Sequence, residues 1–196
     1  MTVTAAQSAD NFAFTASNRA VAERHIAKYP TGNQQSAVMP LLTLAQEQNG
    51  GWLSRAAMDH VAEVLGMAPM RVYEVATFYT MYRTEPVGKF VVEVCTTTPC
   101  MLRGSGAIVE ACKKHLRIDL GETTKDGLFT LHEVECLGAC VNAPMMQIGR
   151  EYFEDLTPQN TVEVLKTLAR GDRPKPGPQS SRHSSEPATG LTTLKG

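Results

Sequence analysis

The sequence predicts an α+β chain: a helical bundle over residues 12–85, a small α/β domain over 86–171 and an extended tail over 172–196. Three observations carry this. In the first half, apolar residues recur at helical spacing between Gly and Pro stops. From Pro86-Val87-Gly88 the pattern changes to short β-rich runs alternating with helix-like stretches. After Gly171 the composition turns to Pro, Gly, Ser and Thr with few large apolar residues, which alone would be disordered.

The bundle is expected from four segments. Ser17 is a candidate cap for a helix reaching Tyr29, with Ala22, Ile26 and Tyr29 on one face and Pro30 as its stop. Val38, Leu41, Leu42 and Ala45 follow the i, i+3, i+4, i+7 rule, and Pro40 marks a first turn or a kink. Ser54 caps a third helix with Met58, Val61, Ala62 and Leu65 inward and Gly66 as the stop. Pro69 opens a fourth, with Val72, Val75, Ala76 and Tyr79 inward. Four short helices with short connections suit a small bundle.

In the second half, Phe90 to Val94 reads as a strand that delivers Cys95 at its end. A loop, Thr96 to Arg103, carries Cys100. A helix starts near Gly104 with Ile108, Ala111, Cys112 and His115 at helical spacing. Leu128 to Val134 reads as a second strand and delivers Cys136. Met145 to Ile148 and Glu151 to Phe153 flank Gly149-Arg150, a two-residue hairpin turn. Thr157-Pro158 opens a last helix with Leu165, Leu168 and Ala169 on its face and Gly171 after it. This order suits an α/β sandwich of the thioredoxin type.

Nineteen basic and 20 acidic residues give a formal net charge of −1, a balance that points away from nucleic acid and anionic membrane surfaces. No apolar run approaches the ~20 residues of a membrane helix. Met1 to Asn18 lacks the basic and apolar regions of a secretory signal. Five cysteines in such a chain argue for a reducing compartment, where grouped thiols more often bind metal or do redox chemistry than form disulfides.

Cys95 and Cys100 are four residues apart by intervening count, Cys136 and Cys140 three. Each pair follows a strand, so two loops at one sheet edge could bring four thiolates to a [2Fe–2S] cluster. Loop residues Thr96, Thr97, Thr98, Pro99, Leu137, Gly138 and Ala139 leave backbone N–H groups free to reach the sulfurs. A structural zinc site also takes four cysteines, mostly with closer pairs, and stays open on spacing alone. Two structural disulfides are geometrically possible but fit the compartment poorly. The Cys-x-x-Cys redox pair is absent, and the plant-type ferredoxin spacing is not matched. Cys112, on the apolar stripe of its helix, reads as a core residue. His60 and His132 lack partners at ligand spacing and read as structural or exposed. Gly104-Ser105-Gly106 supplies half of a dinucleotide fingerprint, but Val109 stands where its third glycine would fall. No catalytic residue set for hydride transfer is present on the chain.

The segments Cys95-Thr96-Thr97-Thr98-Pro99-Cys100-Met101-Leu102-Arg103-Gly104 and Cys136-Leu137-Gly138-Ala139-Cys140-Val141-Asn142-Ala143-Pro144 closely resemble the E subunit of the proton-pumping NADH:quinone oxidoreductase, the family of the mitochondrial 24 kDa subunit of respiratory complex I. Tyr29-Pro30, the stretch 46–52 and Arg71 to Tyr79 resemble it too, so the likeness spans about residues 12–170. In the tail, Arg182, Glu186-Pro187 and Gly190-Leu191-Thr192 fit the family, while Ser181 and Thr189 replace glycines.

The resemblance implies a thioredoxin-like [2Fe–2S] ferredoxin domain behind a helical bundle, with the cluster on Cys95, Cys100, Cys136 and Cys140. It implies an electron-transfer role beside a flavin- and NADH-binding subunit that holds FMN, among other peripheral-arm subunits, without membrane insertion. The expected place is the cytoplasmic face of the inner membrane, or the matrix side in mitochondria. The partner-facing tail is expected to order on the surface of a neighbour in the complex. Two other readings remain: the equivalent subunit of an NAD-linked hydrogenase or formate dehydrogenase, and a zinc-stabilised interaction module. The Thr-Thr-Thr-Pro-Cys-Met-Leu-Arg stretch favours the respiratory enzyme.

Overall fold

The structure is a computed structural model that describes residues 11–187 together with Thr189, Gly190 and Thr193. Two compact units meet in sequence at Val87 and Gly88.

The first unit holds α1 (Ala16–Ile26), α2 (Val38–Gln48), α3 (Arg55–Leu65) and α4 (Pro69–Phe78). Leu41, Leu42 and Ala45 of α2, Ala57 and Val61 of α3 and Val72 of α4 are fully buried, so three amphipathic stripes meet in one core. Ser54 caps α3 by accepting from the Ala57 N–H, and Gly66 ends it in the left-handed conformation. Three expectations change. α1 ends at Ile26, three residues short of Tyr29, and the chain turns before Pro30. Thr15, not Ser17, caps α1: its backbone is still extended and its hydroxyl accepts from the Asn18 N–H, while Ser17 lies inside the first turn. Tyr79 faces outward, 39% exposed, because α4 stops at Phe78 and the extended backbone of Tyr79 breaks the helical phase.

Ahead of α1, Phe12 and Phe14 are buried against His60 of α3, whose ring meets both edge-on. His60 Nε2 accepts from the Phe14 N–H at 3.2 Å. The ring is therefore neutral, with its proton on Nδ1.

The second unit is built on a five-stranded sheet of order β2-β1-β3-β4-β5. Its strands are β1 (Phe90–Cys95), β2 (Phe129–Val134), β3 (Met146–Ile148), β4 (Glu151–Glu154) and β5 (Gly177–Pro178). β1 and β2 run parallel, joined by a crossover that contains α6 (Ser105–Leu116); β3 and β4 form the expected hairpin, and β3 lies antiparallel to β1. α7 (Pro158–Ala169) packs against α6. Val164, Leu165 and Leu168 of α7 and Ile108 and Cys112 of α6 share a core with Val92, Val94, Phe129 and Leu131. Thr157 and Asn160 form a reciprocal cap at the start of α7.

Gly88 sits where the chain enters β1. Its N–H donates to the buried Thr130 Oγ1 at 2.6 Å, and a Cβ there would lie 2.9 Å from the Phe129 carbonyl carbon. The two parallel strands approach too closely at that point for a side chain.

The tail departs from expectation. Gly177 and Pro178 pair in parallel with Phe153 and Glu154, and the Gln179 N–H donates to the Glu154 carbonyl. A composition reading weighs apolar burial, whereas this segment is held by the open edge of β4 and by polar contacts. Leu191 and Thr192 lie outside the described residues.

Candidate metal centre

β1 ends at Cys95, level with Val134 in the parallel register, and β2 ends at Val134, two residues before Cys136. Two adjacent strands thus release their loops at the same sheet end. The first loop is more ordered than expected: Thr98–Leu102 forms one short helix, α5, begun by Pro99, and it turns Cys100 back into the interior. The second loop turns at Gly138, whose φ of +85° favours glycine, and continues into a 3₁₀ turn over Cys140–Asn142.

The thiols stand as two pairs. Cys136 Sγ and Cys140 Sγ are 3.5 Å apart, and the Cys95 and Cys100 thiols are within hydrogen-bonding reach. Among the described residues, no three His, Cys, Asp or Glu side chains close on a single ion. The loops meet: the Leu137 N–H reaches the Cys95 sulfur, and the Met145 N–H reaches that of Cys100. Gly138 N–H lies 3.4 Å from Cys136 Sγ. Cys95 and Cys100 are buried with Ala143 and Met145, against which Leu137, Ala139 and Tyr152 pack. Cys136 and Cys140 are exposed, and the outward-facing Met101, Leu102 and Val141 belong to the same two loops.

Electrostatics sets Cys95, Cys100 and Cys140 apart from one another. Burial pushes the Cys100 thiol up to about 12, with Cys95 adding to it. Burial also acts on Cys95, but hydrogen bonds from Cys100 and from the Thr97 and Leu137 N–H groups outweigh it, and its thiol is lowered. The hydrogen bond with Cys136 leads the causes that raise Cys140. Thr96 and Thr97 hydroxyls donate to Glu133 and Glu135, which places two carboxylates beside the first loop.

Cys112 lies elsewhere, fully buried on α6 in the helix-facing core, with its thiol pushed to about 12 by burial. His132 sits on β2 opposite Glu93. Tyr152 is a site residue that sequence reasoning missed: its hydroxyl donates to the Leu137 carbonyl at 2.8 Å and ties the second loop to β4.

The donor set fits an iron–sulfur cluster. Four soft thiols come as one pair per loop, and backbone N–H groups are aimed at three of the sulfurs. Sheet, crossover and thiol pairs together define an iron–sulfur protein of thioredoxin fold. The chain belongs to the thioredoxin-like [2Fe–2S] ferredoxin family, whose pattern matches residues 22–169, and its cofactor is one [2Fe–2S] cluster. It is 55% identical over 93% of its length, and 74% of the relative's, to NADH dehydrogenase [ubiquinone] flavoprotein 2, mitochondrial, of Dictyostelium discoideum. It is 54% identical over 81% of its length, and 95% of the relative's, to the E subunit of NADH-quinone oxidoreductase of Rickettsia bellii. Among solved structures, NAD+-reducing [NiFe]-hydrogenase in the H2-reduced state aligns with a TM-score of 0.58 at 17% identity, over 66% of this chain and 22% of that one. That last likeness concerns the fold alone.

Proposed function

We propose that this chain is the electron-transfer subunit of the NADH dehydrogenase module of a proton-pumping NADH:quinone oxidoreductase, with its cluster on Cys95, Cys100, Cys136 and Cys140. The observation that carries this is the convergence of two thiol pairs where β1 and β2 end, in a chain 54% identical to the Rickettsia bellii oxidoreductase subunit over 95% of that protein. When bound, a [2Fe–2S] cluster accepts and returns single electrons. The chain's own residues set the cost of that charge. The N–H groups of Leu137, Gly138 and Met145 offset part of it, while burial of Cys95 and Cys100 and the nearby Glu133 and Glu135 carboxylates raise it. All-cysteine plant-type clusters lie near about −400 mV, and these surroundings suit a similarly low potential.

NADH and FMN belong to the partner subunit, so this chain handles electrons and not hydride. Its partners are that flavoprotein and other peripheral-arm subunits. Its place is peripheral, on the cytoplasmic face of the inner membrane or on the matrix side in mitochondria; among the described residues no helix is long and apolar enough to cross a membrane.

The test is anaerobic purification followed by iron, sulfide and zinc analysis and an EPR spectrum after dithionite. Equal iron and sulfide with a rhombic signal is the expected result. A colourless protein with one zinc and no signal would overturn the reading in favour of a zinc-stabilised module. The hydrogenase or formate dehydrogenase alternative shares the cluster, and the genes beside this one separate it.

A further inference from the structure

The 3₁₀ turn that carries Cys140 has few bonds of its own. Its backbone closes through Asn142 N–H to Ala139 O and Ala143 N–H to Cys140 O, at 3.0 and 3.3 Å, and Cys140 and Val141 face outward. Its remaining contacts come from the end of β4 and from the tail. Asn142, almost fully buried, donates through Nδ2 to Glu154 Oε2 at 2.7 Å and to the Ser184 carbonyl at 2.9 Å. Its own carbonyl accepts from the Asp155 N–H at 2.8 Å.

Arg182 closes this set. Its Nη1 donates to the Val141 carbonyl at 3.2 Å and lies 3.5 Å from Asn142 Oδ1, while its Nε stands 3.1 Å from Asp155 Oδ2. That Nε contact is an ion pair without hydrogen-bond alignment. Both side chains of the pair are about nine-tenths buried. Asp155 holds a left-handed backbone at φ +50° and also accepts from Ser180 Oγ at 2.8 Å. One guanidinium thus spans the tail, the end of β4 and the peptide next to Cys140. A buried ion pair of this kind is screened less than a surface one, and removing one member strands the other charge.

We propose that Arg182 is a positioning residue for the cluster site: it clasps the Cys140–Asn142 turn to the tail and to Asp155, and so fixes the orientation of Cys140. This rests on the reading of Cys140 as a ligand. The clasp itself does not depend on a cluster, which lets the two be tested apart.

The experiment compares the full chain with Arg182→Gln and with Arg173→Gln, a control that removes an exposed tail arginine. First, amide hydrogen exchange is followed on the cluster-free proteins over residues 139–143. Second, EPR g-values and the rate of iron loss to a chelator are followed on the loaded proteins. Arg182→Gln is expected to lose protection over 139–143, to release iron about tenfold faster and to shift the g-values, the range typical of residues that orient metal ligands. Arg173→Gln is expected to match the unaltered chain in all three. If Arg182→Gln does not fold, Asp155→Asn, which removes the other half of the ion pair, is read by the same criteria. Unchanged exchange, or changed exchange with unchanged g-values and iron release, overturns the proposal. A full chain that binds no iron but shows the exchange difference refutes the cluster ligand assignment and leaves the clasp standing.

Discussion

Gly88→Ala should damage the α/β unit far more than its single methyl suggests. A Cβ on Gly88 would lie 2.9 Å from the Phe129 carbonyl carbon and 3.0 Å from both Leu128 C and Phe129 N. All three are backbone atoms at the start of the adjoining strand, so no side chain can swing aside. Overpacking of this kind costs about 1–3 kcal/mol, and the rigid neighbours place it at the upper end. Pushing the strands apart also stretches the Gly88 N–H to Thr130 Oγ1 bond and the adjoining Lys89 N–H to Gly127 O bond, for about another 1 kcal/mol. The total is about 3–4 kcal/mol, or a fall in Tm of about 10 °C or more. Gly106→Ala is the matched control. Its Cβ would meet nothing within 4 Å, and it lies in α6, so alanine should stabilise by about 0.5–1 kcal/mol. Thermal and urea unfolding of the two variants should move in opposite directions. A Gly88→Ala change within about 0.5 kcal/mol of the unaltered chain would refute the close approach of β1 and β2.

Three further outcomes are expected. Cys95→Ser should lose or degrade the cluster, whereas Cys112→Ser should keep it while costing about 1–2 kcal/mol for a buried hydroxyl; equal iron loss in both would mean a different ligand set. Burial holds the His60 pKa below 6.5, with Arg19 adding and Glu63 opposing. The unfolded chain therefore binds the proton first, and stability of the helical unit should fall as pH drops below about 6.5, by at most about 1.4 kcal/mol per pH unit. His60→Gln should flatten that slope in urea titrations at pH 7.5, 6.5 and 5.5 (about one unit apart), and equal slopes would count against the Phe14 contact. Thr157→Ala should cost about 1 kcal/mol in equilibrium unfolding by removing the cap of α7, and Thr157→Ser should restore most of it; equal values for the two would exclude the hydroxyl as the cap.

Helical spacing and stop residues made the bundle legible, because a stripe such as Leu41, Leu42 and Ala45 exists to be buried. Errors fell where helical phase ends: a cap depends on which residue still has extended backbone, and both Thr15 and Ser17 are chemically able. The thiol pairs were legible as pairs because each follows a strand. What spacing could not supply was the partner across the sheet. Tyr152, Glu133 and Glu135 enter the site through register and through the fold of β4, which no local pattern encodes. Arg182 stood out only as a match to the family's tail, and what it binds was hidden most deeply. It sits in a stretch whose composition reads as unstructured, and its counterion, Asp155, is 27 positions back along the chain.

The parallel pairing of β1 and β2 also has a consequence for biosynthesis. Cys95 and Cys100 leave the ribosome before α6 and β2 do, and β2 must lie beside β1 before the second loop can face the first. At about 5–20 residues per second, that leaves the first two thiols waiting for a few seconds without their counterparts. A nascent chain at this stage offers one sulfur pair only, so with the cluster on the four proposed thiols its delivery has to follow completion of the sheet. The crossover thereby acts as a timer, making a finished domain the earliest species able to receive iron and sulfide together.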